Sequence, residues 1–177
     1  MNYVEVIAQI FGIIGMILAA ISFQEKKNKR FFAEQALSGL MFFLNFIMIG
    51  AYPAAFFNLT NVVRGALYSK NNKLVWKPVL ICSLYALCFA FSLYMIWGEW
   101  LQIALSGLTF LSLELMTILM WKGNGKHIRY GQFFASSPSW IIHNIFIFSL
   151  GGILCETFAM LSIIISFIRF GKDGFEK

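Results

Sequence analysis

The chain has 177 residues, of which 59% are hydrophobic and only 12% are charged. A water-soluble domain carries about 25% charged residues, so this composition excludes an ordinary soluble enzyme and a disordered chain. The formal net charge of +6 does not indicate nucleic acid binding, because the basic residues stand in short runs between apolar segments. We therefore expect a membrane protein that binds no nucleic acid.

Seven apolar segments follow one another along the chain, and each approaches the ~20 residues that one bilayer crossing requires. They predict an all-α membrane protein with seven transmembrane helices, in a single domain that takes up residues 1–177. Polar residues interrupt the third segment, at Asn58, Asn61 and Arg64, and the sixth segment, at 136–139. The seven segments are 4–23, 31–50, 53–69, 78–97, 100–121, 130–150 and 152–170.

The sequence contains no motif of an enzyme or of a metal site. It lacks HExxH, a nucleophile elbow and the glycine-rich loops that hold phosphates. Cys82, Cys88 and Cys155 lie inside apolar segments without the spacing of a zinc site or a disulfide framework. We therefore expect no catalytic residues, no metal and no cofactor.

The connections between the segments differ in charge. All 14 basic residues except Arg64 fall in the first, third and fifth connections or at the C-terminal end. The N-terminus and the other connections carry none. Cytoplasmic loops hold the excess of Lys and Arg, so the N-terminus is predicted outside and the C-terminus inside. The basic stretches are 24–30, 70–77, 122–129 and 169–177.

An internal repeat relates the two halves of the chain. A shift of 99 positions aligns Asn45 with Asn144, together with four further identical pairs. The repeat predicts two parallel three-helix units, about 4–69 and 100–170, joined by one inverting helix at about 78–97. Such a 3+1+3 arrangement is used by transporters that bind their solute between the units. The four other aligned pairs are Lys27 and Lys126, Arg30 and Arg129, Ala36 and Ala135, and Ser38 and Ser137.

Several short stretches carry a resemblance to a known family. They are Gly50 to Pro53, Asn61 to Arg64, Trp140 to Asn144, Gly151-Gly152, Glu156 and Ile168 to Phe170. In these stretches the chain resembles the YgjV-type bacterial inner-membrane proteins. That family is similar in architecture to the SWEET, PQ-loop and nicotinamide-riboside transporters, with their 3+1+3 helices. The resemblance implies a bacterial inner-membrane location and a transporter class, without a substrate.

Polar side chains inside the apolar segments are the candidates for a binding site, since they are costly in hydrocarbon and usually face the bundle interior. The repeat places Asn45 and Asn144 at equal depth on equivalent helices. Their amides can donate and accept hydrogen bonds, which suits a neutral polar solute. The alternative is that both amides bond neighbouring helices to each other.

A polar stripe on the sixth segment extends this candidate site. Ser136, Trp140, His143 and Asn144 recur at i, i+4, i+7 and i+8, which places them on one helix face. Trp140 could provide an apolar platform for a ring, and His143 a hydrogen bond or a proton site. Ordinary packing roles for both residues stay open.

Charged residues form the last group of candidates. Asn61 and Arg64 lie one turn apart, and an arginine at this depth must pair, snorkel inward or bind an anion. Glu114 is the carboxylate nearest in predicted depth, and pairing and snorkelling are equally open. Glu156 is either a proton acceptor or a carboxylate at the outer rim. If Gly151-Gly152 forms a short turn, antiparallel pairing of the sixth and seventh segments places residue 143 opposite about residue 160. Glu156 is then expected about one helical turn from His143.

These features favour a carrier that moves a small polar solute through a site between the two units. Proton-linked transport, with His143 and Glu156 as the titrating groups, is an open extension of this hypothesis. The alternative is a membrane receptor or assembly factor that binds a partner or a lipid headgroup without transport. The expected partners are a small solute and membrane lipids, and self-association of the chain stays open.

Overall fold

The computed structural model describes residues 3–70, 73–146, 150–171 and 174–175, and the regular secondary structure of these residues is helical throughout. The predicted all-α class is therefore confirmed. Seven helices occupy the described residues, and the sixth contains a π-helical turn. They are α1 (Tyr3–Ser22), α2 (Asn28–Met48), α3 (Tyr52–Ser69), α4 (Trp76–Met95), α5 (Trp100–Lys122), α6 (Gly125–Gly131, the π turn Gln132–Ser136 and Ser137–Phe146) and α7 (Leu150–Phe170).

Five of these helices, α1, α2, α4, α5 and α7, are long and apolar enough to cross a membrane. The other two helices, α3 and α6, correspond to the two apolar segments that polar residues interrupt. In α3 the amides and Arg64 lower the hydropathy, and in α6 the π turn divides the helix into shorter pieces. Both therefore depend on the helices around them to cover their polar faces.

The helices pack in two groups that follow the chain. In the first half α1 contacts α2 and α2 contacts α3, and in the second half α5 contacts α6 and α6 contacts α7. Helix α4 packs against α3 and α5. The two halves meet where α1 contacts α7 and where α3 contacts α5. These contacts form a ring of six helices, with α4 outside it.

Helices α2 and α3 lie close together at Gly65. A Cβ atom on Gly65 would lie 2.6 Å from the carbonyl oxygen of Phe32 and 2.8 Å from the Cβ of Ala36. Small residues allow membrane helices to pack with their backbones in contact. The α2–α3 pair is therefore a tight unit, and it carries Asn45, Asn61 and Arg64.

The basic connections meet at one end of the bundle, which we call the basic end (residues 23–30, 73–77, 122–129 and 166–171). Asn28 Nδ2 donates to the carbonyl of Gly123, and Lys73 Nζ donates to the carbonyl of Lys122 at 3.1 Å. The side-chain nitrogen of Lys26 lies 4.7 Å from the ring centroid of Phe170. The grouping expected from the charge pattern is thus present for these residues, whereas Lys172 and Lys177 lie outside the described residues.

Two of the predicted connections are too long. The connection predicted at 122–129 ends at Asn124, and the one predicted at 24–30 ends at Lys27. Gly123 turns the chain with a φ of 74°, and the side chain of Asn124 then accepts the N–H groups of Lys126 and His127. Because this cap satisfies free donors of the first turn, α6 begins at once.

Arg129 lies inside α6, and its side chain is only 1% exposed, although the sequence suggested a residue of a cytoplasmic connection. Its guanidinium donates to the carbonyl oxygens of Phe23 at 2.8 Å, Glu25 at 2.6 Å and Gly125 at 3.0 Å. It also reaches Ser166 Oγ at 3.3 Å. Arg129 therefore links the ends of α1, α6 and α7.

Candidate functional site

A cavity of about 550 Å³ lies between the two halves of the bundle. This volume falls within the ~300–1,000 Å³ that is usual for small-molecule sites. Helices α1, α2, α3, α6 and α7 provide nearly all of the lining, and α5 contributes Leu113. The polar lining residues are Gln9, Gln35, Ser38, Asn45, Asn58, Asn61, Arg64, Gln132, Ser136, His143, Asn144 and Glu156.

The structure brings the sequence-predicted site residues together, with one exception. Glu114 of α5 is not part of the lining, and its buried Oε1 has no hydrogen-bond partner among the described residues. The predicted residues that line the cavity are Asn45, Asn61, Arg64, Ser136, Trp140, His143, Asn144 and Glu156. Residues up to 111 positions apart in the chain thus face one space.

The predicted stripe of α6 faces the cavity along its whole length. The π turn Gln132–Ser136 ends two residues before Pro138, which has no N–H to donate to the preceding turn. Such turns inside α-helices occur often at functional sites. Here the turn also directs Gln132 to the cavity. The rings of Trp140 and His143 meet edge to face, with their centroids 5.8 Å apart.

The register between α6 and α7 differs from the sequence expectation. Ser137 Oγ donates to Glu156 Oε2 at 2.6 Å, and a Cβ atom on Gly152 would lie 2.5 Å from the side chain of Asn144. The expected pairing of residue 143 with about residue 160 is therefore wrong, and His143 lies near the level of Gly152. The reason is that α7 begins at Leu150, so Gly151-Gly152 belongs to its first turn and not to the connection. Residues 147–149 of that connection lie outside the described residues.

Glu156 is a cavity residue, and its carboxylate contacts the irregular part of α6. Its Oε2 accepts from Ser137 Oγ and, at 3.4 Å, from Gln132 Nε2. Both donors are neutral.

Arg64 is 6% exposed, so its side chain does not snorkel out of the bundle. Its Nη2 donates to Asn61 Oδ1 at 2.8 Å, and its Nη1 donates to Thr117 Oγ1 at 3.4 Å. The hydroxyl of Tyr85 donates to the same Asn61 oxygen at 2.5 Å. Within the described ranges no carboxylate forms an ion pair with Arg64, so the pairing with Glu114 is also wrong.

The two repeat-related amides line the same cavity but contact different helices. Asn45 Nδ2 donates to the carbonyl of Ala8 on α1 at 2.6 Å. Asn144 instead packs against Gly152 on α7. The first amide therefore links α2 to α1, whereas the second lies against the first turn of α7.

Four amide residues of the lining were missed by the sequence analysis as site residues. Each one interrupts an apolar segment, which is the same signal that singled out Asn45, and they are Gln9, Gln35, Asn58 and Gln132. Among the described residues, no three His, Cys, Asp or Glu side chains are close enough to hold a metal ion. The described lining offers amide and hydroxyl groups together with the ionisable side chains of Arg64, His143 and Glu156.

A bundle with several membrane-spanning helices around a polar cavity defines an integral membrane protein. A family model matches residues 6–174 of the chain, and its description is Imp-YgjV, bacterial inner membrane protein. The chain belongs to this family, which confirms the resemblance and the inner-membrane location expected from the sequence. No curated protein and no solved structure matches the chain significantly.

Proposed function

We propose that the protein is a carrier for a small polar solute, which binds in the cavity between the two halves. The observation that supports this most is that both halves direct polar side chains into one space of about 550 Å³. Protein interiors leave few voids larger than a water molecule, and polar groups in a membrane are costly. A cavity that combines both features is therefore better explained by a ligand than by packing.

The helix contacts support the 3+1+3 architecture as part of the proposal. In a 3+1+3 arrangement a two-fold axis exchanges α1 with α5 and α3 with α7. The same exchange turns the contact between α1 and α7 into the contact between α5 and α3, and both contacts are present. Parallel repeats of this kind are related by an axis along the membrane normal. We take all seven helices as crossings, with the basic end in the cytoplasm and the N-terminus outside. One unit then rocks against the other to open the cavity to either side.

Proton coupling is an extension of the same proposal. Glu156 faces Ser137 and Gln132 from α6, Cys155 lies beside it on α7, and His143 and Arg64 are the other ionisable side chains of the lining that can carry a charge. A proton-driven carrier needs a group whose protonation is linked to the affinity for the solute. Glu156 suits that role, since its hydroxyl and amide partners belong to the π-turn region of α6, where the helix is irregular.

The test is uptake by proteoliposomes that contain the full chain, from a mixed pool of small metabolites. Gly12 lines the cavity, and a Cβ there would lie 3.2 Å from Asn45 Nδ2. Gly107 on α5 is the matched control, because its Cβ would meet nothing closer than 3.8 Å and it does not line the cavity. We expect uptake of at least one pool component, a loss of about tenfold or more in Gly12→Leu, and wild-type uptake in Gly107→Leu.

Two results would contradict the carrier. If no component moves while the purified protein still binds one, the receptor hypothesis takes its place. If both glycine variants lose uptake equally while both remain folded, the solute does not pass through this cavity.

A further inference from the structure

Arg64 carries a buried positive charge at the wall of the cavity. The residue is 6% exposed, and among the described residues its guanidinium donates to Asn61 Oδ1 and Thr117 Oγ1, which are both neutral acceptors. More than half of the N–H donors of a guanidinium are left unused by these two bonds. In the described part of the chain, no carboxylate lies within ion-pair distance of it.

The neighbours of Arg64 hold the guanidinium in one orientation. Thr117 Oγ1 donates to the carbonyl of Leu113 at 2.8 Å, so its lone pairs face Arg64 as acceptors. The guanidinium carbon lies 5.6 Å from the ring centroid of Tyr85, whose hydroxyl fixes Asn61. A group that is already oriented loses little conformational freedom when a ligand binds.

A buried guanidinium that has unused donors and no anionic partner is unfavourable unless a ligand compensates its charge. Arginine is suited to carboxylate and phosphate groups, because its planar fork donates two parallel hydrogen bonds. The carboxylate of Glu156 has its own donors in Ser137 and Gln132, and within the described ranges it forms no ion pair with Arg64. The cavity therefore has a cationic wall that its own carboxylate does not contact.

We propose that the solute carries an anionic group, a carboxylate or a phosphate, that binds Arg64. This inference rests on the proposed function, because it names the chemical class of the solute that the carrier moves. Trp140 is the largest aromatic side chain of the lining, so small aromatic acids are suitable probes. Benzoate and benzamide have nearly the same shape and differ in charge, and phenyl phosphate tests the phosphate form.

The experiment measures thermal unfolding of the purified full chain in detergent with each of the three compounds. Benzoate or phenyl phosphate is expected to raise the melting temperature, and benzamide is not. Whichever of the two acids gives the larger shift identifies the anionic group. Arg64→Met is expected to weaken that binding about 10- to 100-fold, because it removes charged hydrogen bonds. Arg30→Met is the matched control: this side chain is 71% exposed at the basic end and lies outside the lining, so binding is expected to match the wild type.

Arg64→Lys covers the case in which Arg64→Met does not fold. It keeps the charge and loses the fork, so we expect weaker binding of the acid with the preference over benzamide retained. The inference is overturned if none of the compounds stabilises the wild type, if benzamide does so as well as benzoate, or if Arg64→Met and Arg30→Met bind the acid equally. It is also overturned if Arg64→Lys binds the acid as tightly as the wild type.

Failure of this inference can be told apart from failure of the carrier. If benzoate binds through Arg64 but no component of the metabolite pool moves in proteoliposomes, the anion site stands and the carrier does not. If only neutral components move, and the acids neither bind nor compete with them for uptake, the carrier proposal is retained and the anion site is rejected.

Discussion

Two arginines are buried in this bundle, and their surroundings differ. Arg129 at the basic end is 1% exposed, and Arg64 at the cavity is 6% exposed. Arg129 donates to three backbone carbonyls and to Ser166, whereas Arg64 donates to two side-chain oxygens. Burial alone therefore does not distinguish a structural arginine from one that is available to a ligand. The unused donors, and the cavity beside them, make that distinction.

The difference follows from where each residue lies along its helix. Phe23 and Glu25 follow the last turn of α1, where carbonyl groups have no partner within the helix and the helix dipole favours a cation. Arg129 reaches these carbonyls from α6. Arg64 lies within α3, where the backbone carbonyls are already bonded along the helix, so side chains such as Asn61 and Thr117 are its acceptors.

The largest expected effect separates these two arginines by stability. Arg129→Met leaves the carbonyls of Phe23 and Glu25 without this donor, and each buried unsatisfied group costs about 1–3 kcal/mol. We expect the free energy of unfolding to fall by about 3 kcal/mol or more. In Arg64→Met it should stay the same or rise, since an unpaired buried charge is removed. Unfolding in detergent measures both, and an equal loss in the two variants would remove the distinction.

The next effect concerns the second charge of the cavity. Glu156→Gln is expected to abolish the response of solute flux to an imposed pH gradient, while exchange of solute continues. His143→Gln tests the other titratable residue of the site in the same assay. Glu34→Gln is the matched control, because Glu34 lies on α2 outside the cavity lining. A wild-type flux that ignores the pH gradient would make the protein a passive carrier and would leave both residues with structural roles.

A smaller effect is expected from the repeat-related amides. Asn144→Ala should weaken solute binding about two- to tenfold, the value of one neutral hydrogen bond, with little change in stability. Asn45→Ala should also lower stability by about 0.6 kcal/mol, because it removes the bond to the carbonyl of Ala8. Binding and unfolding of the two variants are compared in the same detergent. Unchanged binding in both would show that the amides only connect helices.

The sequence predicts the apolar helices because hydropathy is a property of each segment by itself. It also singles out the polar residues of α3 and α6, such as Asn61, Arg64 and Trp140, since a polar group in an apolar segment must face the interior. For that reason eight of the nine residues named from the sequence line one cavity. Gln35 and Gln132 carried the same signal and were passed over.

The environment of each residue could not be predicted, because it depends on contacts between distant parts of the chain. The repeat aligns Arg30 with Arg129, and yet the first side chain is 71% exposed and the second 1%. The burial of Arg129 depends on Phe23, and the orientation of Arg64 depends on Thr117. Neither partner can be identified from spacing along one helix.

A carrier of this kind opens its cavity to each side of the membrane in turn, and Cys155 allows a direct test of this motion. Its thiol is free and lines the cavity, whereas Cys82 and Cys88 lie on α4 and can be replaced by alanine. Cysteines introduced at Glu99 and at Lys27, in separate variants, mark the outer and the cytoplasmic side.

A membrane-impermeant thiol reagent is then added to one side at a time, and the labelling of Cys155 is measured. A carrier predicts that Cys155 reacts from either side, while the marker at Glu99 reacts only from outside and the marker at Lys27 only from inside. Labelling of Cys155 from one side alone would contradict alternating access and would favour a receptor with a single opening.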